Sequence, residues 1–221
     1  SAFGIDKFKD LVLEERNVLP HDPRWTEYVA DAIKESEQPL PQPSPMPTGG
    51  SEEFQRWLRN NIRPQKQDGY VVATVTLPLG DITPVQLRAL ADIARRFTRE
   101  TVRTTVEQNF VIRWVSQGDL ASLFDALEAV GLGQSGAGSI VDIVACPGTD
   151  TCKLGISSSR GLAAELRTRL AAKSMQLDDA IQSLHIKISG CFNSCGQHHV
   201  ADLGFYGVSR KVAGYAVPHF Q

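Results

Sequence analysis

Apolar side chains at helical spacing open the chain. Phe8, Leu11 and Leu13 stand among charged residues and predict an amphipathic helix over about 6–16 with those three turned inward. Asp22 as N-cap and Pro23 at the first helical position predict a second helix to about residue 34, with Trp25, Tyr28 and Ile33 inward. Both helices read as elements that pack against something else. A stretch with five prolines and a terminal Gly-Gly follows over 38–50, and it predicts an extended connector rather than a packed element.

Beyond the connector the period alternates between helix and strand. A short helix is predicted over about 52–61, then a strand over 70–77, where β-branched residues alternate with others. Thr83 as N-cap and Pro84 begin a helix in which Leu87, Leu90, Ala91, Ala94 and Phe97 recur at helical spacing. Residues 101–105 and 109–115 read as two short strands, and 119–130 as a helix with Leu120, Leu123, Phe124 and Leu127 inward. The order β-α-β-β-α describes an α+β unit of roughly 65 residues, with both helices on one face of an antiparallel sheet. A strand at 140–145, a helix at about 159–173, a strand at 185–189 and a strand region over 203–217 predict a following α/β segment. The predicted organisation is therefore 1–50 as helices and connector, 51–131 as the α+β unit, and 132–221 as the α/β domain.

Composition narrows the function classes. The chain has 221 residues, 42% apolar and 22% charged, with 23 Lys and Arg against 25 Asp and Glu. No basic stripe exists that could replace phosphate counterions, which argues against a nucleic-acid binder. A membrane-spanning helix needs about 20 apolar residues, and no run approaches that length. No targeting peptide is legible at the start. The letters GLGQSG at 131–136 match G-x-G-x-x-G, but they follow a helix and precede a strand, the reverse of a dinucleotide fingerprint, so they read as a connector.

The candidate chemistry lies in four cysteines confined to the last third. Cys146 and Cys152 have five residues between them, Cys191 and Cys195 have three, and 38 residues separate the pairs. Each pair follows a predicted strand and is flanked by glycines at 148, 155, 190 and 196, which permit tight backbone where several thiolates converge. Three readings are open on spacing alone. C-x5-C is wide for a zinc knuckle, although C-x3-C is allowed. Disulfides fit an exported chain, whereas a reducing cytosol with a metal centre explains the clustering better. An iron–sulfur cube accepts wide and uneven spacing because each cysteine ligates a different corner, and the pattern favours it.

The segments ACPGTDTCKLGISSS and SGCFNSCGQHHVADLGFYG resemble the cluster and siroheme signature of the assimilatory sulfite and nitrite reductases. Upstream, GYVVATVTLPLGDITPVQLRALADIARRF and VRTTVEQNFVIRWV resemble the ferredoxin-like half-domain that precedes the cluster domain in that family, and FGIDKFKDLV and PHDPRW resemble its linker helices. The resemblance implies an α+β protein in which a ferredoxin-like half-domain leads into an α/β cluster domain. Members have two pseudo-symmetric halves, and this chain looks like the second, truncated after residue 221. The missing N-terminal half would supply most of the substrate-binding Arg and Lys residues, so the fragment alone is expected to be inactive.

By the same resemblance, Cys146, Cys152, Cys191 and Cys195 are expected to ligate a 4Fe-4S cluster, with Cys195 also the proximal ligand of siroheme iron. Arg103, Thr105, Gln108 and Asn109 match the family's R-x-T-x-x-Q-N segment beside siroheme; the plainer reading is that they complete a hairpin. An Arg is well shaped to hold the macrocycle's carboxylates. Asn193 is expected either to orient its loop or to donate toward a macrocycle carboxylate. His198 and His199 project divergently and make a poor chelate; they read as surface or supporting groups. Lys153 and Lys187 read as solvated unless an anion lies nearby. The implied activity is six-electron reduction of sulfite to sulfide or nitrite to ammonia, with electrons from ferredoxin or a flavoprotein. The alternative is a non-catalytic zinc or iron–sulfur module whose cysteine loops only staple the fold.

Overall fold

The computed structural model describes residues 4–18, 20, 22–36, 43–98, 102–173 and 177–221. Two units are distinguished, 1–38 and 39–221.

The first unit holds α1 (Gly4–Val18) and α2 (Pro23–Ser36). The carboxylate of Asp22 accepts the backbone N–H of Arg24 at 3.0 Å, as an N-terminal cap should. The expected inward faces are not buried: Phe8, Leu11, Leu13, Trp25, Tyr28 and Ile33 are all exposed. Thirty-eight residues cannot enclose a core of their own, so amphipathic patterning here marks apolar faces without creating an interior.

In the second unit, α3 (Glu52–Asn61) is capped by Ser51, whose hydroxyl accepts the Phe54 N–H at 3.1 Å. It buries Phe54 and Trp57 against Phe124, with Trp57 and Phe124 centroids 5.3 Å apart. The chain passes directly into β1 (Ile62–Pro64), then β2 (Tyr70–Val75), α4 (Pro84–Phe97), β3 (Val102–Thr104), β4 (Phe110–Ser116) and α5 (Leu120–Glu128). The four strands form an antiparallel sheet in the order β1-β2-β4-β3. β1 was not legible in the sequence, since three residues continuing from a helix offer no period. α4 carries the expected Thr83 cap, completed by Gln86 into a reciprocal capping box. The core unites Leu90, Ile93 and Phe97 of α4 and Leu120, Leu123 and Leu127 of α5 with Val71, Ala73, Val75, Ile112 and Val115 of the sheet.

The end of the connector is more tightly held than its composition suggests. The Ser44 N–H donates to Ser116 Oγ at 3.0 Å, and Pro43 lies so close to Gly69 that a Cβ there would meet it at 2.3 Å. Residues 38–42 of the connector lie outside the described residues, as does Thr101 of the predicted strand.

The glycine-rich segment after α5 is pinned by one buried side chain. Asn61 donates to the carbonyls of Thr74 and Gln134, at 2.8 and 3.1 Å, and its Oδ1 accepts the Gly136 N–H at 3.1 Å. That N–H is thereby used within the fold, and no helix begins at the segment. The following strand is shorter than expected: only Val144–Ala145 pair as β5, because residues 139–142 turn and the Ile140 N–H goes to the Gln182 carbonyl instead. Then come α6 (Ser159–Ala171), α7 (Asp179–Gln182), β6 (Ile186–Ser189), β7 (Leu203–Val212) and β8 (Tyr215–Phe220). The second sheet runs β5-β6-β7-β8, parallel until the final hairpin. Ala163 of α6 packs against Ala145, Ile186 and Ile188. No described helix is long and apolar enough to cross a membrane.

Candidate functional site

Parallel pairing puts the C-terminal ends of β5 and β6 side by side, and each end carries a cysteine loop. The Cys146 N–H extends the ladder to the Ile188 carbonyl at 3.1 Å, and the Gly190 N–H donates to Cys146 Sγ at 3.1 Å. Ser159 donates its hydroxyl to the Cys146 carbonyl at 2.7 Å. The Gly190 carbonyl accepts from Ile156 and Ser157 at 2.8 and 3.0 Å, so the first loop closes on the second.

Glycines make this approach possible. A Cβ on Gly190 would stand 2.6 Å from Gly148 Cα, one on Gly155 2.7 Å from Gly148 C, and one on Gly207 2.2 Å from Gly190 O. Backbone touches backbone there, with no room for side chains. Cys146 and Cys191 are buried at 8% and 7% exposure, whereas Cys152 and Cys195 are exposed. Phe192 and Leu154, beside two of the thiols, are 68% and 69% exposed. The site therefore presents two thiols and two apolar side chains outward.

The 105–109 hairpin meets this loop from the first sheet. Gln108, left-handed at φ 64°, donates its amide to the Ala145 carbonyl at 3.0 Å and accepts the Ala145 N–H at 3.2 Å. Its side chain thus imitates a strand beside the residue preceding Cys146. Asn109 is buried at 3% exposure; its Oδ1 accepts the Leu77 N–H at 2.8 Å and its amide donates to Asp142 Oδ1 and Oδ2 at 3.1 and 2.9 Å. Burial raises the Asp142 pKa, against the hydrogen bonds from Gly138 and Asn109. Arg103 is exposed, Thr105 half-buried and Asn193 exposed. Arg113 on the neighbouring strand has Nε and one terminal nitrogen buried without a partner, and its pKa is lowered by burial and by the charge of Arg103.

Sequence reasoning missed Arg160. It donates to the Leu79 carbonyl at 2.9 Å, pairs with Asp150 at 3.1 Å and binds the Asp81 carboxylate, so one guanidinium ties the first cysteine loop to the turn after β2. These partners hold its pKa above the ordinary range, Asp81 most of all. The expected divergence of His198 and His199 is corrected: the short helical turn 198–200 brings their ring centroids to 4.0 Å, with the rings tilted by 43°. His198 is buried and His199 exposed. Lys187 is not free, since its ammonium donates to Gln197 at 2.8 Å.

Gln108→Ala removes both bonds to Ala145 and leaves that peptide's N–H without its acceptor. The expected loss is about 1–3 kcal/mol in urea unfolding, with amide exchange at Ala145 accelerated.

The donor chemistry suits a cube of iron and sulfide. The two loops that carry the four thiols are held together by bare backbone, and the amide of Gly190 already donates to one sulfur. Among the described residues no three His, Cys, Asp or Glu side chains converge on a single ion. A cube tolerates wide and uneven ligand spacing, since each thiolate meets a different iron.

Comparison with known proteins agrees with this geometry. Residues 63–130 match the nitrite/sulfite reductase ferredoxin-like half domain, and residues 136–217 match the nitrite and sulphite reductase 4Fe-4S domain. The chain belongs to the nitrite and sulfite reductase family. Within that family, sulfite reductase [ferredoxin] 2 of Mycolicibacterium paratuberculosis is 30% identical over 93% of this chain and 33% of its own length. Ferredoxin–nitrite reductase of Synechococcus elongatus is 29% identical over 71% of this chain and 30% of its own. The solved structure of the Mycobacterium tuberculosis NirA protein superposes with a TM-score of 0.60 at 28% identity, covering 86% of this chain and 34% of that one. The chain thus spans about a third of the length of these relatives. The α+β architecture expected for the family is the one observed.

Proposed function

We propose that this chain is the cluster-bearing part of a siroheme-dependent sulfite or nitrite reductase. The observation that carries the reading is the pair of cysteine loops held backbone to backbone, with Cys146 and Cys191 buried and Cys152 and Cys195 at the surface. The four thiols would hold a 4Fe-4S cluster, which supplies an electron store next to the metal that binds substrate. Cys195, outward-facing and last in its loop, is the thiol we assign to the siroheme iron as well.

Arg103 and Thr105 are the hairpin residues we assign to the macrocycle. Arg103 is exposed and makes no ion pair among the described residues, and Arg113 adds a second guanidinium beside it, a combination suited to carboxylates. Gln108 and Asn109 remain in the assignment as residues that set the hairpin against the cysteine loop through Ala145 and Asp142. Asn193, exposed between the last two cysteines, is proposed to donate toward a macrocycle carboxylate. The remaining two thirds of the enzyme would supply the other wall of the macrocycle site and the substrate-binding cations. Ferredoxin is the donor proposed from the relatives' names, with sulfite or nitrite as substrate, in a reducing cytoplasm where four thiols remain free.

Anaerobic reconstitution of the 221-residue chain is expected to give broad visible sulfur-to-iron absorption, with iron and acid-labile sulfide near that of one cluster. Cys146→Ser, Cys152→Ser and Cys191→Ser should each lose most of it, since a serine oxygen is a poor substitute for a soft thiolate at iron. A colourless protein with stoichiometric zinc would instead support a structural module.

A further inference from the structure

Cys195 is bracketed by strained backbone. Ser194 and Gln197 lie in the left-handed region, at φ 59° and 60°, though neither is glycine. Such conformations persist where the surroundings over-determine them, and they gather at functional sites.

The surroundings that hold these two residues can be named. Ser189 Oγ accepts the Gly196 N–H at 3.1 Å and lies 2.9 Å from His198 Nδ1. Lys187 Nζ donates to Gln197 Oε1 at 2.8 Å, and the Gln197 N–H donates to the Ser194 carbonyl at 2.8 Å. Lys187 and Ser189 share one face of β6, opposite the buried Ile186 and Ile188, so the strand presents both anchors to the loop it feeds. His198 is held from behind: its ring lies 5.0 Å from Tyr206, nearly parallel at 18°, and 4.0 Å from His199.

Packing alone does not account for an imidazole at this place. His198 is 7% exposed, and its Nε2 is buried without a partner. An apolar ring would stack on Tyr206 without leaving a polar atom unsatisfied. What the imidazole adds is the Nδ1 contact with Ser189, the residue that fixes the amide next to Cys195.

We infer that Lys187, Ser189 and His198 form a positioning clamp that holds the backbone on either side of Cys195, with Ser194 and Gln197 left-handed, and so aims its thiol. The inference rests on the reading of Cys195 as a cluster ligand and adds to it the residues that set that ligand's position.

The test uses the 221-residue chain in two forms. In the cluster-free form, hydrogen exchange is read at Gly196 and Gln197, with Ile188 as the reporter of an intact sheet. In the reconstituted form, the rate of iron loss to an excess of ferrous chelator is followed by absorbance. His198→Ala and Ser189→Ala are expected to speed exchange at Gly196 and Gln197 by about tenfold, the scale of one released strained residue, while leaving Ile188 unchanged. Iron loss should accelerate in the same variants. His198→Asn, whose Oδ1 or Nδ2 can stand where Nδ1 stood, should restore both readouts toward wild type, whereas His198→Phe, which keeps only the stacking, should not. If His198→Ala fails to fold, Ser189→Ala and Lys187→Met carry the same comparison. Wild-type behaviour of His198→Ala and Ser189→Ala in both readouts would overturn the clamp, as would equal effects of the Asn and Phe variants. Absence of cluster uptake by the wild-type chain would instead refute the cofactor reading, with the exchange arm still deciding the clamp.

Discussion

Gly190→Ala is expected to destabilise the chain by about 3 kcal/mol or more and to abolish cluster uptake. The added Cβ would stand 2.6 Å from Gly148 Cα and 2.9 Å from the Ser157 carbonyl oxygen. Both neighbours are backbone, so neither can rotate away. Gly190 also supplies the amide that meets Cys146 Sγ and the carbonyl that accepts from Ile156 and Ser157. Displacing it separates the two cysteine loops as well as straining them. Gly138→Ala is the control: its φ of 66° carries backbone strain, but nothing lies within 4 Å of the new Cβ. It should cost about 1 kcal/mol and leave uptake intact. Urea unfolding and iron analysis of the two variants distinguish steric closure of the loops from a general intolerance of alanine at glycine positions.

Asn109→Ala is expected to cost about 3 kcal/mol at neutral pH, because it leaves two buried partners unsatisfied. The Leu77 N–H loses its acceptor, and the Asp142 carboxylate loses the amide that reaches both of its oxygens. The loss depends on pH in a definite direction. Asp142 is already held above the ordinary carboxylate range by burial, and removing a donor raises it further. A raised folded pKa means that the native state binds more protons than the unfolded chain between the ordinary value and the raised one. Stability therefore falls as pH rises through that window, and the penalty is full above it. The deficit of Asn109→Ala should be smaller at pH 4 than at pH 7 in urea unfolding. An equal deficit at both would remove the ionised Asp142 from the account.

These two variants show how unevenly the site could be read from residues in order. The cysteine spacing carried the candidate thiols because residue type and separation are properties of the chain itself. Glycines at 148, 155 and 190 read correctly as permissive, yet nothing local says that they face one another. Gln108 and Asn109 stood out as a motif, but their partners Ala145 and Asp142 lie 37 and 33 residues away. Arg160 sat unnoticed in a helix whose pattern looked ordinary, since its importance comes from Asp81, 79 residues earlier. The apolar faces of α1 and α2 were legible as patterns, whereas their exposure was not.

What the sequence determined by itself was local or chemical: the helix caps at Asp22 and Thr83, the main strands and helices, the clustering and spacing of the four cysteines and the family these residues resemble. Each depends on neighbours a few residues apart or on the identity of a side chain. Tertiary structure alone decided which thiols are buried, how β5 and β6 bring two loops together, and which polar residues bind backbone across the chain. Those outcomes depend on parallel strand pairing and on close approach of distant glycines, and the free energy of such contacts exists only once the intervening chain has folded.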